Sequence, residues 1–369
     1  MKIRSITVWH KDLPLSKSYY LSGGRLKFEV LDATFVRLET DNGFVGWGEG
    51  TPWGHTYVPA HGPGIRAGIE TMAYAILGQD PRKLDHLERA MDVALPGHLY
   101  AKAPIDLAAW DICGKAFGLP ISDLLGGRDE NGRAIASSVS SGSPDEMISL
   151  IHDFRARGYV AHSVKVGGDI DLDLARIRAI EDARLPGEQI LYDVNRAWTR
   201  REASIVMNAV RYLGVTFEQP CETLDDIAAL RSVTTSPISV DESLVTLQDM
   251  TRIARDGLAD VVNIKLNRVG GLTKARRLRD LALFHGFQIY VMATGGSVLA
   301  DAEAAHLAQT VPSTACLGTW ACQDMIDVDI ADGRGPRNRD GYLTASAEPG
   351  LGVEPDESAL GTPIAHYKA

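Results

Sequence analysis

The chain has 369 residues but few of the features that mark secreted, redox or membrane proteins. Its four cysteines include no CxxC pair, which disfavours a disulfide framework, a thiolate metal site and a thiol redox centre. We therefore expect reduced cysteines and a cytoplasmic protein. A signal peptide is not expected, because Met1-Lys2-Ile3-Arg4-Ser5-Ile6 has the pattern of a strand and lacks a long apolar core. A membrane span is not expected either, because polar residues interrupt the charge-free stretches at 281–300 and 304–323.

Positive charge is also scarce. The chain has 38 lysines and arginines against 48 aspartates and glutamates, which gives a formal net charge of −10. Nucleic acids and anionic membranes need basic surface, so we expect neither as a partner. A small anionic substrate is compatible with this balance, since a few local cations can override the global field.

The first 130 residues predict an α+β capping domain. Strand patterns over 3–9, 27–39 and 44–48, with a turn at Asp41-Asn42-Gly43, predict a small antiparallel meander. Helical spacing follows at 65–77 and 102–117, with Pro104 expected in the first turn of the second helix and Gly118 after its end. The Gly- and Pro-rich tail, 333–369, is expected to pack on this domain.

Residues 131–332 predict a catalytic domain in which short apolar runs alternate with helix-sized segments. Such repetition predicts parallel strands with right-handed crossovers, and eight runs favour an α/β fold of the (β/α)8 TIM-type barrel. An open doubly wound sheet is the alternative, although no GxGxxG follows any of the runs. The runs are 135–139, 162–166, 190–194, 215–218, 238–241, 261–266, 289–292 and 315–320.

Five successive runs finish with a charged residue, although barrel strands are normally apolar because they are buried. Their spacing of 23 to 28 residues predicts that all five lie at the carboxyl end of adjacent strands, where the catalytic groups of barrels converge. These residues are Lys165, Asp193, Glu218, Asp241 and Lys265.

Three carboxylates in one partly buried mouth would repel one another unless a cation lay among them. Oxygen ligands select Mg2+, or Mn2+, over zinc. A metal-bound substrate carboxylate would lie between the lysines. Lys165 would then face one side of the substrate's α-carbon, and Lys265 would face the other side. The pattern predicts abstraction of an α-proton by a lysine. Either lysine can act as the base only if its pKa falls toward neutrality, and a nearby metal cation and partial desolvation both lower it. The plainer interpretation is that each acid caps a helix or pairs with a surface base, and that each lysine is solvated.

The charged strand ends lie in longer strings, Ser163-Val164-Lys165, Asp193-Val194-Asn195, Phe217-Glu218-Gln219-Pro220, Asp241-Glu242-Ser243 and Asn263-Ile264-Lys265. Three more strings accompany them, Gly46-Trp47-Gly48-Glu49, Ile105-Asp106-Leu107-Ala108-Ala109-Trp110-Asp111 and Leu124-Leu125-Gly126-Gly127. Over nearly its whole length the chain thus resembles the enolase superfamily, in its mandelate racemase/muconate lactonizing branch. The resemblance implies a cap over the barrel mouth, Mg2+ held by Asp193, Glu218 and Asp241, and Lys165 and Lys265 as the acid/base pair.

Two positions depart from the patterns of that branch. Ser163 stands where the usual Lys-x-Lys has its first lysine, so that activating cation is absent. His285 precedes the seventh barrel strand rather than ending it, so a His–Asp dyad is not supported. An acid/base pair of two lysines therefore fits the sequence better than a His–Asp dyad.

Strings in the capping loops resemble enzymes that act on proline derivatives, by dehydrating cis-3-hydroxy-L-proline or by epimerising hydroxyproline betaine at carbon 2. Such enzymes place an acid after the seventh strand to meet a cationic nitrogen, whereas 290–296 here contains no carboxylate. An ammonium would then rely on the aromatic faces of Trp320, Tyr57 and Trp53, or the substrate is a neutral or purely anionic acid. The strings cover 21–29, 52–57, 59–64, 95–98 and 337–341.

Five further side chains are candidates for contacts to the substrate or support of the ligands and lysines. His55 lies in a Gly/Pro-rich loop that could act as a lid, although a solvated loop histidine is the alternative. The other candidates are Ser163, Asn195, Glu242 and Thr294.

The leading interpretation is a Mg2+-dependent lyase of amino acid catabolism that dehydrates cis-3-hydroxy-L-proline. An isomerase is the first alternative, either a 2-epimerase of a proline betaine or other amino acid derivative, or a muconate-type cycloisomerase. A Schiff-base aldolase using Lys265 and a barrel that only binds a ligand are the remaining alternatives. We expect a small-molecule carboxylate as substrate and assembly into a homo-oligomer.

Overall fold

The computed structural model describes residues 1–369. Its strands are β1 (Ile3–Leu21), β2 (Leu26–Thr40), β3 (Val45–Gly50), β4 (Arg133–Ala134), β5 (Ala136–Val139), β6 (Ala161–Lys165), β7 (Gln189–Asp193), β8 (Thr216–Glu218), β9 (Ile238–Val240), β10 (Val261–Lys265), β11 (Gln288–Met292), β12 (Cys316–Trp320), β13 (Tyr342–Leu343) and β14 (Ala365–Lys368). Its α-helices are α1 (Gly62–Ile76), α2 (Leu84–Ala94), α3 (Leu99–Phe117), α4 (Ile121–Leu124), α5 (Pro144–Ala156), α6 (Ile170–Asp182), α7 (Arg200–Ala209), α8 (Leu224–Arg231), α9 (Leu247–Asp256), α10 (Leu266–Val269), α11 (Leu272–Phe284), α12 (Val298–Ala308) and α13 (Glu357–Leu360).

The cap is built on an antiparallel sheet in the order β14-β1-β2-β3. The predicted meander is confirmed, but β1 continues to Leu21 instead of ending near residue 9. The continuation pairs with β2 across a shift of register between Pro14 and Tyr19, which breaks the alternation that marks a strand in sequence. The added length carries the end of β1 over the barrel.

Helix α3 is the buried centre of the cap and packs against β3. A Cβ at Gly46 would come within 2.0 Å of the carbonyl oxygen of Ala108, so this approach requires glycine. The helix begins at Leu99, and Pro104 therefore lies inside it rather than in its first turn as predicted. Burial of the apolar residues Tyr100 and Ala101 explains the additional turn.

Eight parallel strands, β5 to β12, lie side by side in chain order. A bridge between Ile135 and Thr319 joins the first and last of them, which closes the sheet into a barrel. All eight predicted runs are strands, and helices connect most of them. The (β/α)8 TIM-type barrel is confirmed, and the open doubly wound alternative is wrong.

The strand register places the charged strand ends at one level. Lys165 pairs with Asp193, and Asp193 pairs with Glu218 on the next strand. Farther around the barrel, Lys265 pairs with Met292, and Met292 pairs with Trp320. These side chains therefore share the mouth of the barrel.

Two buried carboxylates tie the cap to helices that begin beside this mouth. Glu49 accepts hydrogen bonds from the backbone N–H of Ser297 at 3.0 Å and from its hydroxyl at 2.5 Å. Asp106 accepts hydrogen bonds from the backbone N–H of Thr273 at 2.9 Å and from its hydroxyl at 2.5 Å. Burial raises the pKa of Asp106 to about 6, although these hydrogen bonds oppose the rise. The contacts fix the cap over the barrel.

The tail pairs with both parts of the fold, since β14 lies beside β1 and β13 lies beside β4. The division of the chain at residues 130 and 332 stays a prediction. All four cysteines are free. None of the helices combines the length and the apolar character needed to span a bilayer.

Buried His306 makes a testable contribution to stability. Its Nδ1 accepts from the backbone N–H of Ser122 at 3.2 Å, and its Nε2 lies 3.1 Å from the carbonyl oxygen of Leu351, so the ring is matched as a neutral donor and acceptor. Burial lowers its pKa from 6.5 to about 4. Its stabilising effect is therefore complete above pH 6.5 and is lost as the pH falls toward 4, in total about 3 kcal/mol.

Urea unfolding at several pH values checks this expectation. His306→Gln should be less stable than the wild type at pH 7, and its stability should depend less on pH between 7 and 4. Equal pH dependence in the two proteins would contradict the assignment.

Candidate active site

A small cavity of about 50 Å3 lies at the barrel mouth beneath the cap. Lys165 borders it from β6 and Lys265 from β10, and Asp193 and Glu218 border it from the strands between. The other walls come from the cap and from the ends of further barrel strands. They are Tyr19, Leu21, Trp53, Tyr57, Ser138, Ser163, Asn195, Met292, Thr294 and Trp320.

Lys165 forms an ion pair with Asp193 at the ends of β6 and β7. The second support of Asp193 is Asn195, whose backbone N–H donates to Oδ1 at 3.0 Å and whose side-chain amide donates to Oδ2 at 3.1 Å. Burial alone would lower the pKa of Lys165, but the nearby carboxylates outweigh it and raise the pKa. A fall in this pKa depends on a metal cation engaging the carboxylates, and it stays a prediction.

Asp241, directly after β9, is held by two cations. Lys265 Nζ donates to its Oδ2 at 2.6 Å, and Arg268 donates to its Oδ1 at 2.6 Å. The Tyr57 hydroxyl lies 3.4 Å from Oδ2, and Lys265 Nζ lies 5.8 Å from the centre of the Tyr57 ring. Burial would raise the pKa of Asp241, but Arg268 and Lys265 reverse the effect and lower it.

Glu218 lies between the two other acids and has no ion-pair partner. The one hydrogen bond to its carboxylate comes from the side-chain amide of Asn263, at 3.0 Å. Burial raises its pKa well above the ordinary value, and the charges of Asp193 and Asp241 raise it further. The ionised form of Glu218 is therefore costly unless a cation approaches it.

The three predicted ligands lie near one another, but no group of three or more aspartate, glutamate, histidine or cysteine side chains is placed so that it could hold a metal ion. The physical reason is that Lys165 is paired with a carboxylate oxygen of Asp193, and Lys265 with a carboxylate oxygen of Asp241. A metal that engaged these acids would have to replace the lysine contacts.

Most of the remaining predicted residues border the cavity, and two do not. Ser163, Asn195, Tyr57, Thr294 and Trp320 line it, and Trp320 donates its indole N–H to Ser138 at 2.8 Å.

Glu242 lies behind the cavity wall, where it accepts a 3.3 Å hydrogen bond from Asn195. Burial and the neighbouring Asp241 and Asp193 raise its pKa to about 7. His55 is exposed and borders a separate outer cavity of about 490 Å3. His55 does not border the small cavity, because the loop that carries it turns Tyr57 inward instead, and its contact with a substrate stays a prediction.

Two sequence-family models match the chain. The C-terminal model, Enolase C-terminal domain-like, matches residues 146–359, and the Mandelate racemase / muconate lactonizing enzyme, N-terminal domain model matches residues 29–126. The protein belongs to the mandelate racemase/muconate lactonizing branch of the enolase superfamily.

Curated relatives of this superfamily member are lyases and isomerases. The chain is 38% identical to the cis-3-hydroxy-L-proline dehydratase of Roseibium aggregatum, over 100% of both chains. It is 29% identical to an N-succinyl-L-Arg/Lys racemase of Bacillus cereus, over 98% of this chain and 97% of that one. The protein is thus an enolase-superfamily enzyme of the lyase or isomerase type.

Solved structures of the superfamily agree with this fold. A protein from Silicibacter pomeroyi assigned to the mandelate racemase/muconate lactonizing enzymes is 65% identical, with a TM-score of 0.97 and full coverage of both chains. A superfamily member from Roseovarius nubinhibens, solved in complex with magnesium, is 48% identical, with a TM-score of 0.96 and full coverage of both chains.

The superfamily site contains three supporting residues that the sequence analysis missed. Asn263 precedes Lys265 by two positions in β10, so both side chains point to the barrel interior. This alternation along the strand is visible in the sequence and could have predicted the position of Asn263. Arg268 follows on the short helix α10, and Tyr19 reaches the cavity from the extended part of β1. The positions of Arg268 and Tyr19 could not be derived from strand spacing, because both depend on the path of the chain outside the barrel strands.

Proposed function

We propose that this protein is a Mg2+-dependent enzyme that removes the proton α to a carboxylate and dehydrates cis-3-hydroxy-L-proline. The observation that carries the proposal is the pair of lysines, Lys165 and Lys265, which border one small cavity from strands that are not neighbours. Two carboxylates, Asp193 and Glu218, lie between them. Full-length similarity to a protein named cis-3-hydroxy-L-proline dehydratase supports the choice of substrate.

The proposed metal ligands are Asp193, Glu218 and Asp241. Their chemistry fits a hard divalent cation, since all the donor atoms are carboxylate oxygens and Glu218 is buried without an ion-pair partner. When bound, Mg2+ would stabilise the negative charge that develops on the substrate carboxylate. Mn2+ has the same preference for oxygen ligands and is the natural substitute.

The lysines supply the proton chemistry. One lysine takes the α-proton of the substrate, and the electron pair left behind expels the 3-hydroxyl as the C3–O bond breaks. The other lysine donates a proton to the departing oxygen, so that water leaves, and the product enamine tautomerises to a pyrroline carboxylate. Lys165 can act as a base only when Asp193 has another cationic partner, because that carboxylate now raises the pKa of Lys165.

The cavity walls favour a small substrate. Trp53 packs edge-on against both Tyr19 and Trp320, with ring centres 5.5 Å apart in each pair. These rings and Tyr57 shield the lysines from water, which strengthens electrostatic interactions inside the cavity. A five-membered ring with one carboxylate suits this small, aromatic space better than a long acyl chain.

Incubation of the purified protein with cis-3-hydroxy-L-proline tests the proposal directly. We expect pyrroline carboxylate to form with Mg2+ or Mn2+, and its formation to stop when EDTA is present in excess. NMR spectroscopy follows both the substrate and the product. No turnover with either metal would refute this substrate, and turnover that is indifferent to EDTA would refute the metal.

A proline betaine 2-epimerase is the second candidate, and one observation favours it. The position that pairs with Lys265 on β11 is Met292, and no acid follows it up to Gly296. A quaternary nitrogen has no N–H to donate and can be met by aromatic faces such as Trp320. Deuterium incorporation at the α-carbon from D2O, without loss of the hydroxyl group, would identify the epimerase.

A further inference from the structure

We infer that Arg196 is a positioning residue that closes the active site by fixing the cap loop of residues 51–61, here called the Tyr57 loop. The expected kinetic effect of this inference rests on the proposed function, and the positioning of the loop by Arg196 rests on geometry. Arg196 does not border the small cavity itself. It acts through Tyr57, which does.

Arg196 joins the cap to two barrel loops. Its Nη2 donates to the carbonyl oxygen of Tyr57 at 2.6 Å, and its Nη1 donates to Glu222, after β8, at 3.1 Å. The guanidinium also lies over the Tyr57 ring, 5.5 Å from its centre. Its Nε, buried and without a hydrogen-bond partner, lies 3.8 Å from Glu242 after β9. One side chain therefore holds the Tyr57 loop against the barrel.

The backbone beneath Arg196 is bent in a way that makes this contact possible. Asn195 and Arg196 have positive φ angles of 46° and 64°, a region that costs residues other than glycine free energy. The Arg196 N–H donates to the carbonyl oxygen of Gln219 at 2.9 Å, which stabilises the bend. As a result the Asn195 side chain turns back to Asp193, while Arg196 reaches out to the cap.

Tyr57 is a wall between three spaces. It borders the small cavity over the lysines, a cavity of about 720 Å3 on the side of α1 and α3, and the outer cavity of about 490 Å3. On its inner side the hydroxyl lies 3.4 Å from both Asp241 and Asn195. If the Tyr57 side chain moved away, the small cavity would merge with the two larger cavities. Arg196 thereby restricts the site to small acids and keeps water from the lysines.

Only an arginine side chain suits this position. Its planar fork donates to two acceptors in different directions while its face covers an aromatic ring, whereas a lysine ammonium acts as a point charge. Arg196→Ala removes all the side-chain contacts and keeps the backbone hydrogen bond to Gln219, and Arg196→Lys keeps the charge alone. Arg200 provides a matched control, because it lies four residues further along, is largely exposed, and pairs with Asp226 instead of the cap.

Hydrogen exchange and kinetics together test the inference. In Arg196→Ala, amides of the Tyr57 loop should exchange about tenfold faster or more, since charge-assisted hydrogen bonds are lost. The KM for cis-3-hydroxy-L-proline should rise by about tenfold with a smaller change in kcat. Arg196→Lys should lie between Arg196→Ala and the wild type, and Arg200→Ala should match the wild type in both measurements.

The two measurements separate this inference from the proposed function. Exchange needs no turnover, so equal exchange of the Tyr57 loop in Arg196→Ala and Arg200→Ala overturns the inference even where the proposed substrate is wrong. With an active wild type, an unchanged KM in Arg196→Ala also overturns it. A wild type that turns over no proline derivative, combined with faster exchange in Arg196→Ala alone, overturns the proposed function and supports Arg196 as the residue that holds the loop.

Discussion

Turnover should fall by about 10²-fold to 10⁴-fold when Lys265 is replaced by methionine, and equally when Lys165 is replaced. Each lysine borders the cavity, and the proposed reaction needs one as base and the other as acid. Methionine keeps most of the apolar stem, so the loss reports the amine. Steady-state kinetics with saturating Mg2+ measures the effect.

Both lysine variants should remain folded, which makes the result interpretable. Asp241 keeps Arg268 as a partner at 2.6 Å when Lys265 is absent. Asp193 keeps its two hydrogen bonds from Asn195 when Lys165 is absent. Lys274→Met, on helix α11 outside the site, is a control for loss of a part-buried, ion-paired lysine and should leave turnover unchanged. Full activity in both site variants would remove the basis of the proposed chemistry.

Exchange with solvent can then assign the roles of the lysines. In D2O, the variant that retains the base should still exchange the α-proton of the substrate, although it no longer expels the hydroxyl group efficiently. The variant that lacks the base should do neither. If both variants exchange at the wild-type rate, a third group removes the proton.

Much of the fold could be predicted because a barrel repeats one local rule. Strands such as β7 and β10 are short apolar runs with a charged end, and the repeat of strand and helix sets the order of neighbours. The long β1 could not be predicted, since its second half owes its conformation to pairing with β2 across an irregular register. Pro104 was likewise misplaced, because the burial of the turn before it is a tertiary effect.

The site was predictable in part for the same reason. Strand spacing indicated which five charged ends share the mouth, but it carries no information on how their charges are balanced. The structure gives Asp241 two cations and Glu218 none, a difference that depends on Arg268 beyond the strand. The raised pKa of Lys165 follows from this balance, which strand spacing does not reveal.

Glu218→Gln should lower turnover by about 10³-fold or more. The metal-free variant should be at least as stable as the metal-free wild type. Burial, together with Asp193 and Asp241, raises the pKa of Glu218, so its contribution to stability falls as the pH rises above its ordinary value of 4.5. A neutral amide avoids that cost and can still accept the hydrogen bond from Asn263. Urea unfolding in EDTA at pH 7 measures the difference.

Added Mg2+ should separate the roles of Glu218 in stability and in binding. At about a hundred times its Kd, Mg2+ should raise the free energy of unfolding of the wild type by about 2–3 kcal/mol, and this gain should largely disappear in Glu218→Gln. Glu303→Gln is a matched control, because Glu303 is also fully buried with a raised pKa but lies in α12 with no partner for its carboxyl oxygens. It should keep both turnover and the Mg2+ response. An equal Mg2+ response in Glu218→Gln and the wild type would mean that the cation binds elsewhere, and the three strand-end carboxylates would lose their proposed role.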